Sequence, residues 1–323
     1  MKALVLGASG HIGNAAVREL LRRGYEVTAT GRRQHPRANL AGLPVTYSPG
    51  DQYVPGQIEA WVPGHDIVVD AAAPYPLHLA ISNRDDLTEE AFERTQRLLR
   101  AVDREGARLV YVSSFTTLRH WEGRVSEWPF ELIGKLHPYF AIKRLVEAQV
   151  LSAAGRGLPA VIVNPTMCLG PWDLHERDLC LIPRLLDREI LVSTQHILNI
   201  VDVRDVAKGL VRMVESETYG RPTLLSGRNI SAQTLYSWIC EIGEVEPPSI
   251  SLPSVPGAFG AYLAELLLGF SGIEAPIAIP AMLVSSHEWQ PPCKAFLDLK
   301  IVARPLSETL RDSVEWYRAL GYC

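Results

Sequence analysis

The sequence has little that would suit a membrane, a nucleic acid or a disulfide-stapled fold. No apolar run approaches the roughly 18 residues of a membrane span; the nearest, Ala261 to Phe270, is short and interrupted by Glu265. No long run of lysine or arginine occurs, and 32 basic residues against 36 acidic ones leave a net charge of -4. A phosphate backbone would find little to bind, so no nucleic-acid partner is expected. The five cysteines (Cys168, Cys180, Cys240, Cys293 and Cys323) are odd in number and form no CxxC pair. That spacing argues against a disulfide framework and a zinc site, and it fits reduced thiols in a cytoplasm. No metal site is expected. Internal repeats and low-complexity tracts are absent. The apolar start, Met1 to Leu6, runs straight into a glycine-rich turn, so it reads as a buried strand and not as a signal peptide.

What is present suits a globular protein with a sizeable core: 323 residues, 47% hydrophobic and 21% charged. That is about the length of a nucleotide-binding unit plus a smaller substrate-binding part. Short apolar runs alternate with helix-period segments. Strands are expected at 3–6, 26–30, 44–47, 66–73, 108–113 and 160–164, and helices at 12–23, 89–105 and 138–154. This alternation calls for right-handed crossovers and a parallel sheet covered on both faces. The second half is less regular. A helix with an Asp205 cap is expected over 205–217, a strand over 223–226, a small helical lobe with an apolar lining over 245–281, and a closing helix over 305–320.

The first strand ends in Gly7-Ala8-Ser9-Gly10-His11-Ile12-Gly13 and opens a helix. Glycines let the backbone turn sharply and approach a pyrophosphate, while the amides at the helix start face the anion. The spacing is GxxGxxG and not GxGxxG, and a tight turn without a ligand would also use it. The second strand ends in Thr30-Gly31-Arg32-Arg33. A carboxylate there would bind a ribose 2′-hydroxyl; a guanidinium suits a 2′-phosphate, which favours NADP over NAD. The alternative is two solvated surface arginines. Asp51, after the third strand, reads either as an adenine ligand or as a plain turn residue.

The strand at 108–113 runs into Ser113-Ser114, and twenty-five positions beyond Ser114 stands Tyr139, with Lys143 four residues later. Positions i and i+4 project from one helix face. A phenol has a pKa near 10; a neighbouring ammonium favours its phenolate. Tyr139 can then exchange a proton with a carbonyl or alcohol oxygen, while a serine hydroxyl holds that oxygen. YxxxK alone is a weak signal. After a nucleotide loop and a Ser-Ser strand end it becomes a strong one.

These motifs and their order resemble the extended short-chain dehydrogenase/reductases, within the NAD-dependent epimerase/dehydratase superfamily and its dihydroflavonol-reductase-like branch. Further similarity lies in Asn164-Pro165, Leu169-Gly170-Pro171, the segment Asn199 to Ala207, and Pro305 to Tyr322 with Trp316, so that it covers nearly the whole chain. The resemblance implies a Rossmann-type doubly wound parallel α/β sheet with a smaller, mainly helical C-terminal substrate lobe. It places residues 1–165, with 190–228 returning, in the nucleotide domain, and 166–189 with 229–323 mainly in the lobe. It implies Ser114, Tyr139 and Lys143 as catalytic residues. For the cofactor it implies Gly7, Ser9, Gly10, His11, Ile12, Gly13, Arg32, Arg33, Asp51, Ala72, Ala73, Asn164 and the Tyr139-Lys143 pair itself. It also implies the dimerisation common among relatives, through two helices of the nucleotide domain. Two departures stand out. The family's N-V-x-G-T stretch corresponds to Ala91-Phe92-Glu93-Arg94-Thr95, without the Asn, so any water relay to the lysine must be arranged otherwise. The fourth strand carries Asp70 where many relatives have His, a change expected to affect packing more than chemistry.

Loops at the carboxyl ends of strands carry Tyr75 and Trp172, expected to bind substrate together with Ser114, and Trp121, Trp128, Phe130 and Leu136 with Glu122 and Glu127. Phe259, Tyr262, Leu263, Leu266 and Leu267 add to an apolar lining or form the lobe's own core. The reading is reduction of a ketone or aldehyde of a largely apolar small molecule, or oxidation of its alcohol, with NADP(H), NAD being the other cofactor option. The alternatives are an NAD-dependent sugar-nucleotide epimerase or dehydratase, and a non-catalytic NADP-binding sensor or scaffold.

Overall fold

The central strands are nearly continuous apolar runs buried on both faces, and such runs pair in parallel between helical layers. The structure, a computed structural model, describes residues 1–72, 84–118, 138–174, 180–194, 197–252 and 294–323. In chain order the strands are β1 (Lys2–Leu6), β2 (Glu26–Gly31), β3 (Thr46–Pro49), β4 (Ile67–Asp70), β5 (Arg108–Val112), β6 (Ala160–Pro165), β7 (Met167–Leu169), β8 (Val192–Thr194), β9 (Ile197–Asp202), β10 (Pro222–Leu225), β11 (Arg228–Ser231) and β12 (Ile250–Leu252). Seven of them form one parallel sheet in the order β10-β6-β5-β4-β1-β2-β3. The order reverses between β1 and β4, which opens a crevice at their carboxyl ends. β11-β9-β7 and β12-β8 make two smaller sheets.

The helices are α1 (His11–Arg22), α2 (Gln57–Trp61), α3 (Arg84–Glu105), α4 (Pro138–Gly155), α5 (Leu181–Leu186), α6 (Val203–Glu215), α7 (Ala232–Gly243), α8 (Lys294–Asp298) and α9 (Leu306–Ala319). Alternate residues of β1 serve opposite layers. Ala3 and Val5 join a core with Val17 and Leu20 of α1 and Leu210 and Val214 of α6. Leu4 and Leu6 join one with Leu98 and Val102 of α3 and Val146 and Val150 of α4. A third core joins α5, α7 and α9 through Leu185, Ile239 and Leu310.

Three expectations need correction. α6 starts at Val203, because β9 runs to Asp202 and that carboxylate caps the helix, accepting from the Arg204 amide at 2.7 Å. Asp205 lies inside the first turn and accepts from the Arg304 amide at 2.6 Å. β4 stops at Asp70, and Ile250–Leu252, read as part of a helical lobe, is a strand paired with β8. Residues 253–281 of that lobe, and with them Phe259 to Leu267, lie outside the described residues.

Candidate active site

At the β1–α1 turn, sterics dictate residue identity. Gly7 has φ +74°, and a Cβ there would lie 2.8 Å from the Ala71 carbonyl oxygen and the Ala72 Cα. A Cβ on Gly13 would come within 2.1 Å of the Gly7 carbonyl oxygen. The Gly10 amide donates to that carbonyl at 2.9 Å. α1 has no side-chain cap and no acidic residue in its first turn, so its orphan amides and positive dipole end suit a phosphate. His11 is buried there with its Nδ1 4.0 Å from an Asp173 carboxylate oxygen, and Ile12 packs into the α1–α6 core. The turn therefore fits a dinucleotide pyrophosphate.

Asn39, fully buried, donates through Nδ2 to the Ser9 carbonyl and to the Trp172 carbonyl, both at 3.0 Å. Arg32 and Arg33 are exposed beyond β2, and the Tyr47 hydroxyl donates to the Arg33 carbonyl at 2.7 Å. Asp51 accepts from the Tyr53 amide at 3.0 Å, a turn-forming bond. Trp172, read as a substrate contact, has φ +75°. Its ring lies 4.3 Å from the Arg18 guanidinium and packs near Ala15, Val203 and Ala207, against α1 and the start of α6. Ala72 ends the described part of the β4 loop. Ala73, Tyr75, Trp121, Trp128, Phe130, Leu136, Glu122 and Glu127 lie outside the described residues.

At the end of β5, the Ser114 side chain accepts from the Thr116 amide at 3.3 Å and the Thr116 hydroxyl at 2.9 Å, capping the turn Phe115–Thr117. In both bonds the Ser114 oxygen is the acceptor. Tyr139 and Lys143 stand one turn apart on α4, both buried. The Lys143 ammonium donates to the Val112 carbonyl at 2.9 Å and lies 5.6 Å from the Tyr111 ring centroid. Burial pulls the Lys143 pKa down to about 8, against the opposing pull of Asp70 and Glu147.

Asn164, expected beside the nicotinamide, is fully buried and bonded through its Nδ2. It donates to the Ser114 carbonyl at 3.0 Å, to Thr117 Oγ1 at 2.9 Å and to Glu147 Oε2 at 2.7 Å. It ties β6 to the serine turn and to α4. Glu147 escaped the sequence reading, although it stands four residues after Lys143 on the same helix face. Gln52 also escaped it; Gln52 Nε2 donates to the Ala72 carbonyl at 2.6 Å, and its Oε1 accepts from Arg94. Asp70, expected to affect packing more than chemistry, faces Arg94. It is buried, forms bonds of 2.5 and 2.7 Å with Arg94, and is held below the usual carboxylate range although burial opposes this, because the Arg94 guanidinium lies beside it.

The model of the "NAD dependent epimerase/dehydratase family" matches residues 3–224. The chain is 29% identical, over 98% of its length and 95% of the relative's, to a "Putative dihydroflavonol 4-reductase" of a Synechocystis species. It is 30% identical over 78% of each chain to "Sterol demethylase protein B" of Methylococcus capsulatus. The crystal structure of gox2253 superposes with TM-score 0.79 at 26% identity, over 99% of this chain and 98% of that one. Family match, sheet order and the Tyr139-Lys143 helix together place this chain in the NAD-dependent epimerase/dehydratase family, as a nicotinamide-dependent enzyme of the extended short-chain dehydrogenase/reductase type.

Proposed function

We propose that the protein is an NADP(H)-dependent oxidoreductase that reduces a ketone or aldehyde on a largely apolar small molecule, or oxidises the corresponding alcohol. The observation that carries this reading is the Lys143 ammonium on the Val112 carbonyl, one helical turn from Tyr139 and at the strand end that bears Ser114. Gly7, Gly10 and Gly13 with the α1 amides would hold the pyrophosphate. Arg32 and Arg33 would hold a 2′-phosphate, where a carboxylate would serve a bare ribose. Bound there, NADP(H) supplies the hydride. Ser114 donates a hydrogen bond to the substrate oxygen, and Tyr139 passes its proton to that oxygen as the carbonyl becomes an alcohol. Lys143 stabilises the phenolate left behind. The apolar substrate class draws on the aromatic loops of the sequence and on relatives named for a flavonoid reductase and a sterol demethylase protein.

Residues 1–165 and 190–228 would form the nucleotide domain, and the remainder the substrate lobe of a cytoplasmic enzyme that pairs with a second copy. Among the described residues no helix is long and apolar enough to cross a membrane. The test is a titration of the purified protein with NADPH and with NADH, plus identification of any nucleotide that co-purifies. NADPH should bind about tenfold or more tightly, as a charge-assisted arginine–phosphate contact provides. Equal affinities, or NAD retained through purification, would overturn the NADP reading in favour of an epimerase or dehydratase.

A further inference from the structure

Asp70 and Arg94 form an ion pair wholly inside the protein, with the residues 2% and 3% exposed. Asp70 Oδ2 takes Arg94 Nη1 at 2.5 Å, and Oδ1 takes Nη2 at 2.7 Å and the Ala72 amide at 3.3 Å. The remaining reach of Arg94 goes to Gln52 Oε1, at 3.1 Å from Nε and 2.6 Å from Nη2. Two charges withdrawn from water are a poor source of stability, since desolvation offsets much of their attraction. Buried charges of this kind act instead on the titration of their neighbours.

The neighbour is Lys143. Asp70 ends β4 in register with Tyr111 of β5. The Tyr111 ring lies 5.6 Å from the Lys143 ammonium, whose hydrogen bond goes to the next carbonyl along β5, that of Val112. Asp70 thus stands at the level of the sheet where the Lys143 ammonium is anchored, one strand apart, with Tyr111 common to both. The small void lined by Asp70, Arg94, Tyr53 and Tyr111 measures about 10 Å³, room for no more than one water. Asp70 and Lys143 are themselves both buried, and buried charges act more strongly on one another than exposed ones.

We propose that Asp70, fixed by Arg94, is the counter-ion of Lys143: a positioning residue that keeps the ammonium charged beneath Tyr139. The charged and titratable groups around Lys143 are Asp70 from β4, Arg94 from α3, Tyr111 from β5, and Tyr139 and Glu147 from α4. Burial lowers the lysine's affinity for its proton. Asp70 opposes this most, Glu147 next, and Arg94 adds to the fall. Arg94 therefore has two effects: it holds the carboxylate in place and limits how strongly that carboxylate acts on the lysine. The consequence for proton transfer rests on the reading of Tyr139 and Lys143 given above; the counter-ion itself does not.

The experiment is a pH titration by NMR of the protein without nucleotide, labelled at lysine Cε and Nζ. The sequence has few lysines, and Lys143→Met assigns the signal. In Asp70→Asn/Arg94→Gln, two neutral side chains can still hydrogen-bond, and the Lys143 midpoint should fall by about one pH unit. In Arg94→Gln alone, Asp70 is left to Lys143 and the midpoint should rise. Asp70→Asn alone, with Arg94 left in place, should lower the midpoint further, and it carries the test if the double variant does not fold. A midpoint that stays put in the variant examined, or moves against these directions, overturns the proposal. Shifts in the stated directions support it even if no ketone or aldehyde is ever reduced, an outcome that would remove the reductase reading alone.

Discussion

The two ends of the crevice are built on different principles. At the nucleotide end the work is done by main chain: the Gly7–Gly13 turn has no room for a Cβ at two of its glycines, and α1 presents amides without a side-chain cap. At the chemical end it is done by buried polar side chains. Lys143, Glu147, Asn164, Asp70 and Arg94 arrive from four different elements and are all buried. The first construction demands particular residues at a fixed spacing and tolerates little change. The second demands a balance of charges, which several combinations of residues could supply.

That contrast can be broken from either side. The largest effect is expected from Tyr139→Phe, which removes one hydroxyl at the chemical end. Turnover should drop about 10²- to 10⁴-fold, the usual range for losing a general acid, with the NADPH dissociation constant unchanged. An unchanged phenotype would favour the sensor reading. Next comes Lys143. Its folded-state pKa, about 8, lies below the ordinary lysine value of 10.5. Between those values the unfolded chain binds more protons, so stability rises with pH across that window and is flat below it. Relative to Lys143→Met, the wild type should gain on the order of 3 kcal/mol between pH 8 and 10.5, readable by urea unfolding at a series of pH values.

On the other side, Gly13→Ala should cost about 2 kcal/mol by overpacking, because the new methyl meets the Gly7 carbonyl. Unlike Tyr139→Phe it should also abolish nucleotide binding, which calorimetry would detect. The smallest effect is a control away from both ends. Asp202→Asn keeps a capping side chain but removes its charge beside Arg204, and should cost about 1 kcal/mol in thermal unfolding.

The same contrast explains what could be read from the sequence. The seven-strand sheet was legible because parallel strands buried on both faces are apolar runs, and β1, β2, β5 and β6 fall within a residue or so of their expected limits. The glycine turn and the Tyr139-Lys143 spacing were legible because each is local. β7, β8 and β12 were not: strands of three residues carry no period. Trp172 sits in the loop where it was expected, but a positive φ and the Arg18 side chain turn its ring toward α1. The supports of the chemical end were the least legible. Gln52, Asp70 and Arg94 are far apart in sequence, and nothing in the spacing of those residues announces that they meet.

The fastening of α9 bears on how the protein is made. The Asp202 carboxylate accepts from the Thr309 hydroxyl at 2.7 Å as well as from Arg204, and Arg204 reaches on to Asp312. A nascent chain on the ribosome therefore acquires β9 and α6 with this buried acid still short of a partner, and the junction is sealed only when the final helix emerges. Synthesis that stops before Thr309 would leave that seam open to quality-control proteases, and a chain ended at residue 304 should be cut at the start of α6 where the longer chain is not.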